Sequence, residues 1–425
     1  MPLPRNRVVQ MTETAPPAAR SFSAMTVVVA TLGTAYVASI FLRNSIGVIA
    51  PNLAADLALT GPQIALISSI YFFAFVAAQI PLGIAIDRYG PKRCMLACAV
   101  MTVLSTLLFA GATSFGAMVA ARVLMGLGTS CFLMAPLALY ARTFPPDRFS
   151  VLAGLQLGIG SAGGLLATAP LAFSTALIGW RASFAIMAAA VAGLGLLVAA
   201  VIRDRPQDRA AEVGAEGLLN SLRGVVAAWR CPDVGRLFVL NLSAYSSYVL
   251  VVGLWGGPYL THVYGYGLKE RGTILFVAAT TQALAMIAWG ATDRLFKGYK
   301  LAVYLGGGST MALLMVVGFA GKLSPLALWL WFAAFGACSA FMPVVIAHGK
   351  ALFPPALVGR GITLLNMATM GGGFVSQLAS GLVMELFPAD GGVYPLAAYR
   401  AIFLLQAGFA GIGLIFYGST REPAR

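Results

Sequence analysis

Apolar runs of eighteen or more residues recur along the whole chain, separated by short clusters of charge, glycine and proline. Each run is long enough to cross the hydrocarbon core of a bilayer as a helix, which takes about 20 residues. A transmembrane barrel would alternate apolar and polar positions over segments of about ten, and these runs do not alternate. The pattern predicts an all-α polytopic membrane protein with twelve transmembrane helices. They fall at 24–50, 62–86, 92–113, 116–141, 149–177, 180–202, 236–260, 272–292, 300–320, 325–348, 359–387 and 397–419.

Polar stretches set the organisation. Residues 1–23 carry Pro16 and Pro17 and lack a short apolar core before a small-residue cleavage site, so they read as a cytosolic tail rather than a signal peptide. The most polar stretch, a cytosolic linker at 203–235 beginning "RDRPQDRAAEVGAEG", divides the chain into a six-helix bundle at 24–202 and another at 236–419, followed by a tail at 420–425. Within the linker, 218–230 ("LLNSLRGVVAAWR") suits a short amphipathic helix at the membrane surface. The halves repeat each other. "FPP" at 144–146 recurs at 353–355, an offset of 209 that also carries Gly163-Gly164 onto Gly372-Gly373. Repeats of this kind place a substrate site near the membrane midplane, between the halves.

Composition sharpens the picture. Mean hydropathy is +0.86. The net charge is +14, which in a soluble protein would point to nucleic acid. Here placement accounts for it: with twelve spans, 21 of the 28 lysines and arginines lie on the side that holds both termini. Five (Arg181, Lys269, Arg271, Lys322 and Arg400) lie on the other side, and Arg43 and Arg122 lie within spans. The positive-inside rule then puts both termini in the cytoplasm and the protein in the cytoplasmic membrane, with no nucleic-acid partner. Cys94, Cys98, Cys131, Cys231 and Cys338 are odd in number and scattered, which suggests neither a disulfide framework nor a metal site. His262, in an external loop, and His348, near a span end, have no ligand or triad partner in sequence. "GIGSAG" at 158–163 follows no strand and reads as small-residue packing, with Gly154/Gly158 and Gly160/Gly164 at helical spacing. No Walker motif is present. Neither an enzyme nor a cofactor is implied.

One charged cluster stands between two apolar runs: "GIAIDRYGPKR" at 83–93. A carboxylate at a helix end can face the positive end of a neighbouring helix, worth about 0.3–1 kcal/mol. Gly83 would permit close helix approach and Gly90 a tight turn. The spacing of Gly83, Asp87, Arg88, Gly90, Lys92 and Arg93 resembles the loop signature of major facilitator superfamily transporters, with Pro91 where a basic residue is often found. "RVLMGLG", with Arg122, Gly126 and Gly128, is similar to the signature of that family's fourth span. "GATDRLFKGYK", with Asp293 and Arg294, looks like a degraded second copy of the loop. The resemblance covers nearly the whole length. It implies the two-bundle fold and a solute transporter working by alternating access. It also implies a latch, in which Asp87 contacts the start of span 11 and holds the cytosolic side shut. The plainer reading is that these charges only anchor a short loop.

The substrate must be read from quieter residues. Arg43 continues a polar stripe of Tyr36, Ser39 and Arg43, and it and Arg122 have no Asp or Glu within any first-half span. A buried guanidinium usually marks a pathway or a paired site, and an anionic substrate would supply the missing partner. Gln156, Asn241, Tyr245, Tyr248, Gln282, Asn366 and Gln377 offer groups to orient a ligand; alternatively they hydrogen-bond between helices. Glu385 is the one acid placed in a span. The expectation is a monomeric carrier, secondary active or facilitative, of a small organic anion such as a carboxylate. A co-transported proton or a counter-substrate would couple it if active; as a uniporter it would need neither. Export of a hydrophobic or drug-like compound is one alternative, and a non-transporting membrane receptor or scaffold is another.

Overall fold

The computed structural model describes residues 22–144, 146–202, 218–296, 298–354 and 357–422. The N-terminal tail, the first part of the linker and the last three residues therefore lie outside the described residues. Among the described residues, ten helical stretches, some continuing across a break, are long and apolar enough to cross a membrane. The first half comprises α1 (Phe22–Asn44), α2 (Ile46–Leu57), α3 (Gly61–Tyr89), α4 (Pro91–Ala110), α5 (Phe115–Thr129), α6 (Cys131–Thr143), α7 (Pro146–Leu166) and α8 (Ala169–Val201). α9 (Leu218–Trp229) follows, where an amphipathic helix is expected. The second half comprises α10 (Val234–Leu250), a π-helical segment (Val251–Trp255), α11 (Gly256–Tyr264), α12 (Leu268–Leu295), α13 (Lys300–Ala320), α14 (Pro325–Cys338), α15 (Met342–Leu352), α16 (Val358–Glu385) and α17 (Leu396–Gly418).

The helices start where polar caps and prolines allow. Thr60 and Gln63 form a reciprocal capping box at α3, and Ser114 and Ser324 accept from the backbone N–H groups of Ala117 and Ala327 at α5 and α14. More informative are the breaks inside apolar stretches. A break frees backbone carbonyls, and a bilayer interior holds no water to satisfy them. At each break a hydroxyl residue donates three residues back. Ser45 bonds Leu42 O, Ser130 bonds Leu127 O, Thr168 bonds Leu165 O and Ser339 bonds Gly336 O. Ser130 and Ser339 are separated by 209 residues, the offset of the sequence repeat. The interruption at Ser45 has its counterpart in the π-helical segment. The predicted spans ending at 50 and 260 in fact run past these irregularities, to Leu57 and Tyr264. The span predicted as unbroken over 149–177 is interrupted at 167–168, and Gly179 (φ 80°, ψ 161°) bends α8 where two spans were separated.

Packing repeats as well. In the first half α1 lies on α7, α4 on α8, and α5 on both α3 and α4; in the second, α10 lies on α16, α13 on α17, and α14 on both α12 and α13. Glycines set the tightest of these contacts. A side chain at Gly163 would collide with the carbonyl of Val37, and one at Gly372 with the carbonyl of Leu242. Gly160 lies under the ring of Tyr36, but Gly154 and Gly158 face nothing within 4 Å, so the expected packing holds for part of that glycine pattern. Gly83 also meets nothing within 4 Å, which removes the close approach expected of it. Gly90 is different: at φ 84° and ψ 156° it sits in a region that is essentially glycine-only. Between the halves, α3 runs against α16, and α12 against α7 and α8.

The two glycines of the loop therefore separate experimentally. Gly90→Ala should destabilise the protein by about 1–3 kcal/mol, and Gly83→Ala should change stability by less than about 0.5 kcal/mol. Thermal unfolding in detergent measures both; equal shifts would contradict the backbone argument.

Candidate functional site

One face of the molecule is sealed where the halves meet. A Cβ at Gly47 of α2 would collide with Val252 O of the π-helical segment, and one at Gly257 of α11 with Gly47 O, so the two backbones touch. Arg271 at the start of α12 crosses this seam and is 4% exposed. Its Nε donates to Val48 O at 2.9 Å, one terminal nitrogen donates to Thr261 Oγ1 at 2.9 Å, and the other to Asn52 Oδ1. Its acceptors among the described residues are carbonyl, hydroxyl and amide oxygens, with no carboxylate among them. Tyr394 OH also accepts from the Gly61 N–H at 3.0 Å. The sequence reading placed Arg271 in a loop with Lys269. Nothing in "LKERG" marks which of its charges is buried.

Beyond the seam lies a cavity of about 280 Å³. Its lining reaches close to the helix ends at the opposite face, where the α3–α4 turn with Asp87 lies. Leu137 is six residues before the end of α6, Ile346 six before the end of α15, and Ile362 four after the start of α16. At 1.5 Å per residue these are about 6–9 Å from those ends. The inner end is bordered by Arg43, Asn44 and Tyr248, with the Asn44 amide beside Gly253 of the π-helical segment.

Seven of the ten candidate binding residues line this cavity: Tyr36, Arg43, Asn241, Tyr245, Tyr248, Gln282 and Asn366. Arg43 is 4% exposed, and its Nε has no hydrogen-bond partner. Phenols of Tyr36, Tyr71 and Tyr245 surround its charge, and Cζ lies 5.0 Å from the Phe75 ring centroid. Tyr245 and Tyr248 stack with centroids 6.4 Å apart. Asn241 donates to Leu237 O and accepts from Thr369 Oγ1.

The other three candidates lie apart from the lining, each bonded to backbone. Arg122 is fully buried, donating to Ile67 O at 3.0 Å and Leu42 O at 2.7 Å, with Cζ 4.6 Å from the Tyr71 ring centroid. It ties α3 to the carbonyls freed at the α1–α2 break. Gln156 accepts from Tyr140 OH and donates to Leu32 O and Phe132 O. Gln377 donates to Val249 O, beside the π-helical segment. Sequence reasoning passed over Asn44, although it adjoins Arg43. It also passed over Met134, Met286, Met342 and Met370, which line the cavity from four different helices with no periodic signal.

A family model described as Major Facilitator Superfamily matches residues 32–295. The chain belongs to that superfamily. Over 294 residues it is 26% identical to the probable sulfoacetate transporter SauU of Cupriavidus necator, covering 66% of each chain. Over 292 residues it is 25% identical to the probable nitrate/nitrite transporter NarK2 of Mycobacterium tuberculosis, covering 66% of this chain and 69% of that one. The chain thus spans about two thirds of the length of these relatives. A bacterial homolog of the human lysosomal transporter Spinster, crystallised in an inward-facing and unoccupied conformation, shares the fold. It has a TM-score of 0.77 at 18% identity, over 94% of this chain and 97% of that one.

Several further residues of this superfamily member find partners that the sequence did not reveal. Asp87 pairs with Arg142 at the end of α6, at 2.8 Å, and not with the start of α16. Arg88 lies 5.4 Å from the Tyr89 ring, Lys92 donates to Ala199 O near the end of α8, and Arg93 is exposed. The side chains of Asp293 and Arg294 lie outside the described residues. Glu385 is the last residue of α16 and is exposed, away from the cavity lining. His262 bonds Tyr399 OH, and the buried His348 lies between Tyr417 OH and Arg421 O. No cluster of metal-ligating side chains occurs among the described residues.

Two measurements check these assignments. Arg122→Leu should destabilise the unliganded protein by roughly 1.5–3 kcal/mol, the value of a charge-assisted bond, whereas Arg142→Gln should change stability by about 0–1 kcal/mol. Separately, Arg271→Ala should raise the maleimide reactivity of a Val48→Cys reporter several-fold, because the seam then opens more often; Val48 is buried and bonds Arg271 only through its backbone carbonyl. Unchanged reactivity would mean that backbone contact alone holds that face shut.

Proposed function

We propose that this protein is a secondary transporter that carries a small organic anion across the cytoplasmic membrane by alternating access. In this reading twelve spans form two six-helix bundles, 24–202 and 236–419, both termini lie in the cytoplasm, and the cavity faces the cytoplasm. The carrying observation is Arg43: a buried guanidinium that lines the cavity with no carboxylate partner among the described residues. An oxyanion placed against it would gain charge-assisted and bidentate hydrogen bonds, and the surrounding tyrosine hydroxyls would add donors. The relatives named for sulfoacetate and nitrate support an anion.

The same geometry suggests how the cycle is gated. With the cavity open at the Asp87 face, Asp87 rests on Arg142; closure would bring it to the start of α16 as a latch. No carboxylate lines the cavity among the described residues. Such a lining suits a proton carried on the substrate, exchange for a counter-anion, or facilitated passage without coupling. The apolar share of the lining favours a second reading, export of a hydrophobic compound, in which Arg43 would be dispensable.

Thermal shifts of the purified protein with anionic, neutral and cationic metabolites, followed by uptake into proteoliposomes, test this reading. Anions alone should raise the melting temperature. Arg43→Gln should abolish that rise and the uptake without lowering the unliganded melting temperature. Stabilisation by cations alone would overturn the anion assignment, and full uptake by Arg43→Gln would favour the second reading.

A further inference from the structure

We infer that the cavity selects a monoanion with a compact apolar body, bound with its charged head inward at Arg43 and its apolar end toward the mouth. This rests on the anion reading above and goes further, because it fixes the charge number, the shape and the orientation of the ligand.

The argument begins with charge. Arg43 is the sole charged side chain in the lining among the described residues. One guanidinium balances one carboxylate or sulfonate. A second anionic group would find no cation, and when the cavity closes for transit it would be enclosed without a partner. Unpaired charge in such surroundings is strongly disfavoured.

Position then sets orientation. The one charge and its phenols stand at the inner end, where Tyr36, Asn44, Tyr245 and Tyr248 accompany Arg43. The side toward the helix ends is mostly apolar, with Leu133, Leu137, Leu157, Met286, Ile346 and Ile362; of the polar residues there, Thr363 donates to Gly359 O and Asn241 bonds Leu237 O and Thr369, which leaves Asn366. Met134, Met342 and Met370 extend this surface from α6, α15 and α16. Methionine is unbranched and polarizable, so it accommodates apolar bodies of differing outline, including aromatic rings. The volume of about 280 Å³ lies just below the range of about 300–1,000 Å³ usual for drug-sized ligands, which favours a small occupant.

Size and charge also bear on orientation during release. With the head held inward, the apolar end meets the mouth first as that face closes. The closing walls are then packed against methyl and methylene groups and not against a second ion.

Affinities of the full-length protein in nanodiscs for three ligand series test the inference. The first series is acetate, isovalerate and phenylacetate; the second is malonate, succinate and glutarate; the third is isovaleramide and phenylacetamide. Expected are at least a tenfold gain in affinity from acetate to phenylacetate, at least tenfold weaker binding of every dicarboxylate than of isovalerate, and at least tenfold weaker binding of each amide than of its acid. Dicarboxylates binding as well as isovalerate would overturn this inference and leave the anion reading standing. So would equal binding of acetate and phenylacetate. Amides binding as well as their acids would overturn the anion reading and this inference together.

Discussion

The bilayer interior offers no water, so every backbone carbonyl freed by a broken helix must find a donor within the protein. Much of this structure follows from that constraint. The breaks at Ser45, Ser130, Thr168 and Ser339 each place a hydroxyl where it reaches the carbonyl three residues back. Larger donors serve the larger irregularities. Arg122 reaches Leu42 O at the α1–α2 break, and Gln377 reaches Val249 O beside the π-helical segment. The breaks in turn let α2 and α11 diverge from the helices before them and meet across the halves, where Gly47 and Gly257 permit backbone contact. The sealed face, and with it a cavity that reaches toward the other end, therefore depends on a few side chains that satisfy the backbone.

Arg271 belongs to the same logic. An arginine that bridges two halves through carbonyl, hydroxyl and amide oxygens holds them without a permanent ion pair. A buried carboxylate partner would make the seam costly to part, since either ion alone would be left unpaired. Neutral acceptors make parting easier, because each can turn to water once the seam opens. A joint of this kind suits a face that would open and close in the proposed transport cycle.

Much of the fold was legible in the sequence, because apolar run length is a strong signal and the lipid environment permits few alternatives. The repeat was legible too, through "FPP" and the paired glycines, and the structure adds Ser130 and Ser339 at the same offset. The tight turn at Gly90 was readable from its motif. The approach expected at Gly83 was not found, because spacing reveals that a glycine is present and not what faces it. The site was legible in part for a related reason. Tyr36, Arg43, Tyr245 and Tyr248 fall on helical stripes that do face the cavity. Gln156 and Gln377 fall on equally plausible stripes, yet their amides serve carbonyls that become free only through breaks and irregular turns in three dimensions. The methionines carried no signal at all, since an apolar residue in an apolar helix looks alike whether it meets lipid, protein or substrate.

The two arginines buried in α1 and α5 differ in what surrounds them. They share chemistry, burial and the absence of a nearby acid in sequence. Arg122 is held by two backbone carbonyls and the face of Tyr71, and it touches no open space in the cavity. Arg43 has the Phe75 face and neighbouring phenols; each arginine leaves one nitrogen without a partner, Nε of Arg43 and a terminal nitrogen of Arg122, but only Arg43 borders the cavity. A buried guanidinium can offer five N–H donors; those of Arg43 reach Tyr36 and Tyr245 but leave Nε unmet, which is unfavourable. Folding alone gives no reason to retain such a residue, since a neutral side chain of similar size would pack there more easily. A ligand that supplies the missing acceptors does give one. The inference of an anion therefore rests less on the positive charge itself than on the difference between these two sites within one bundle.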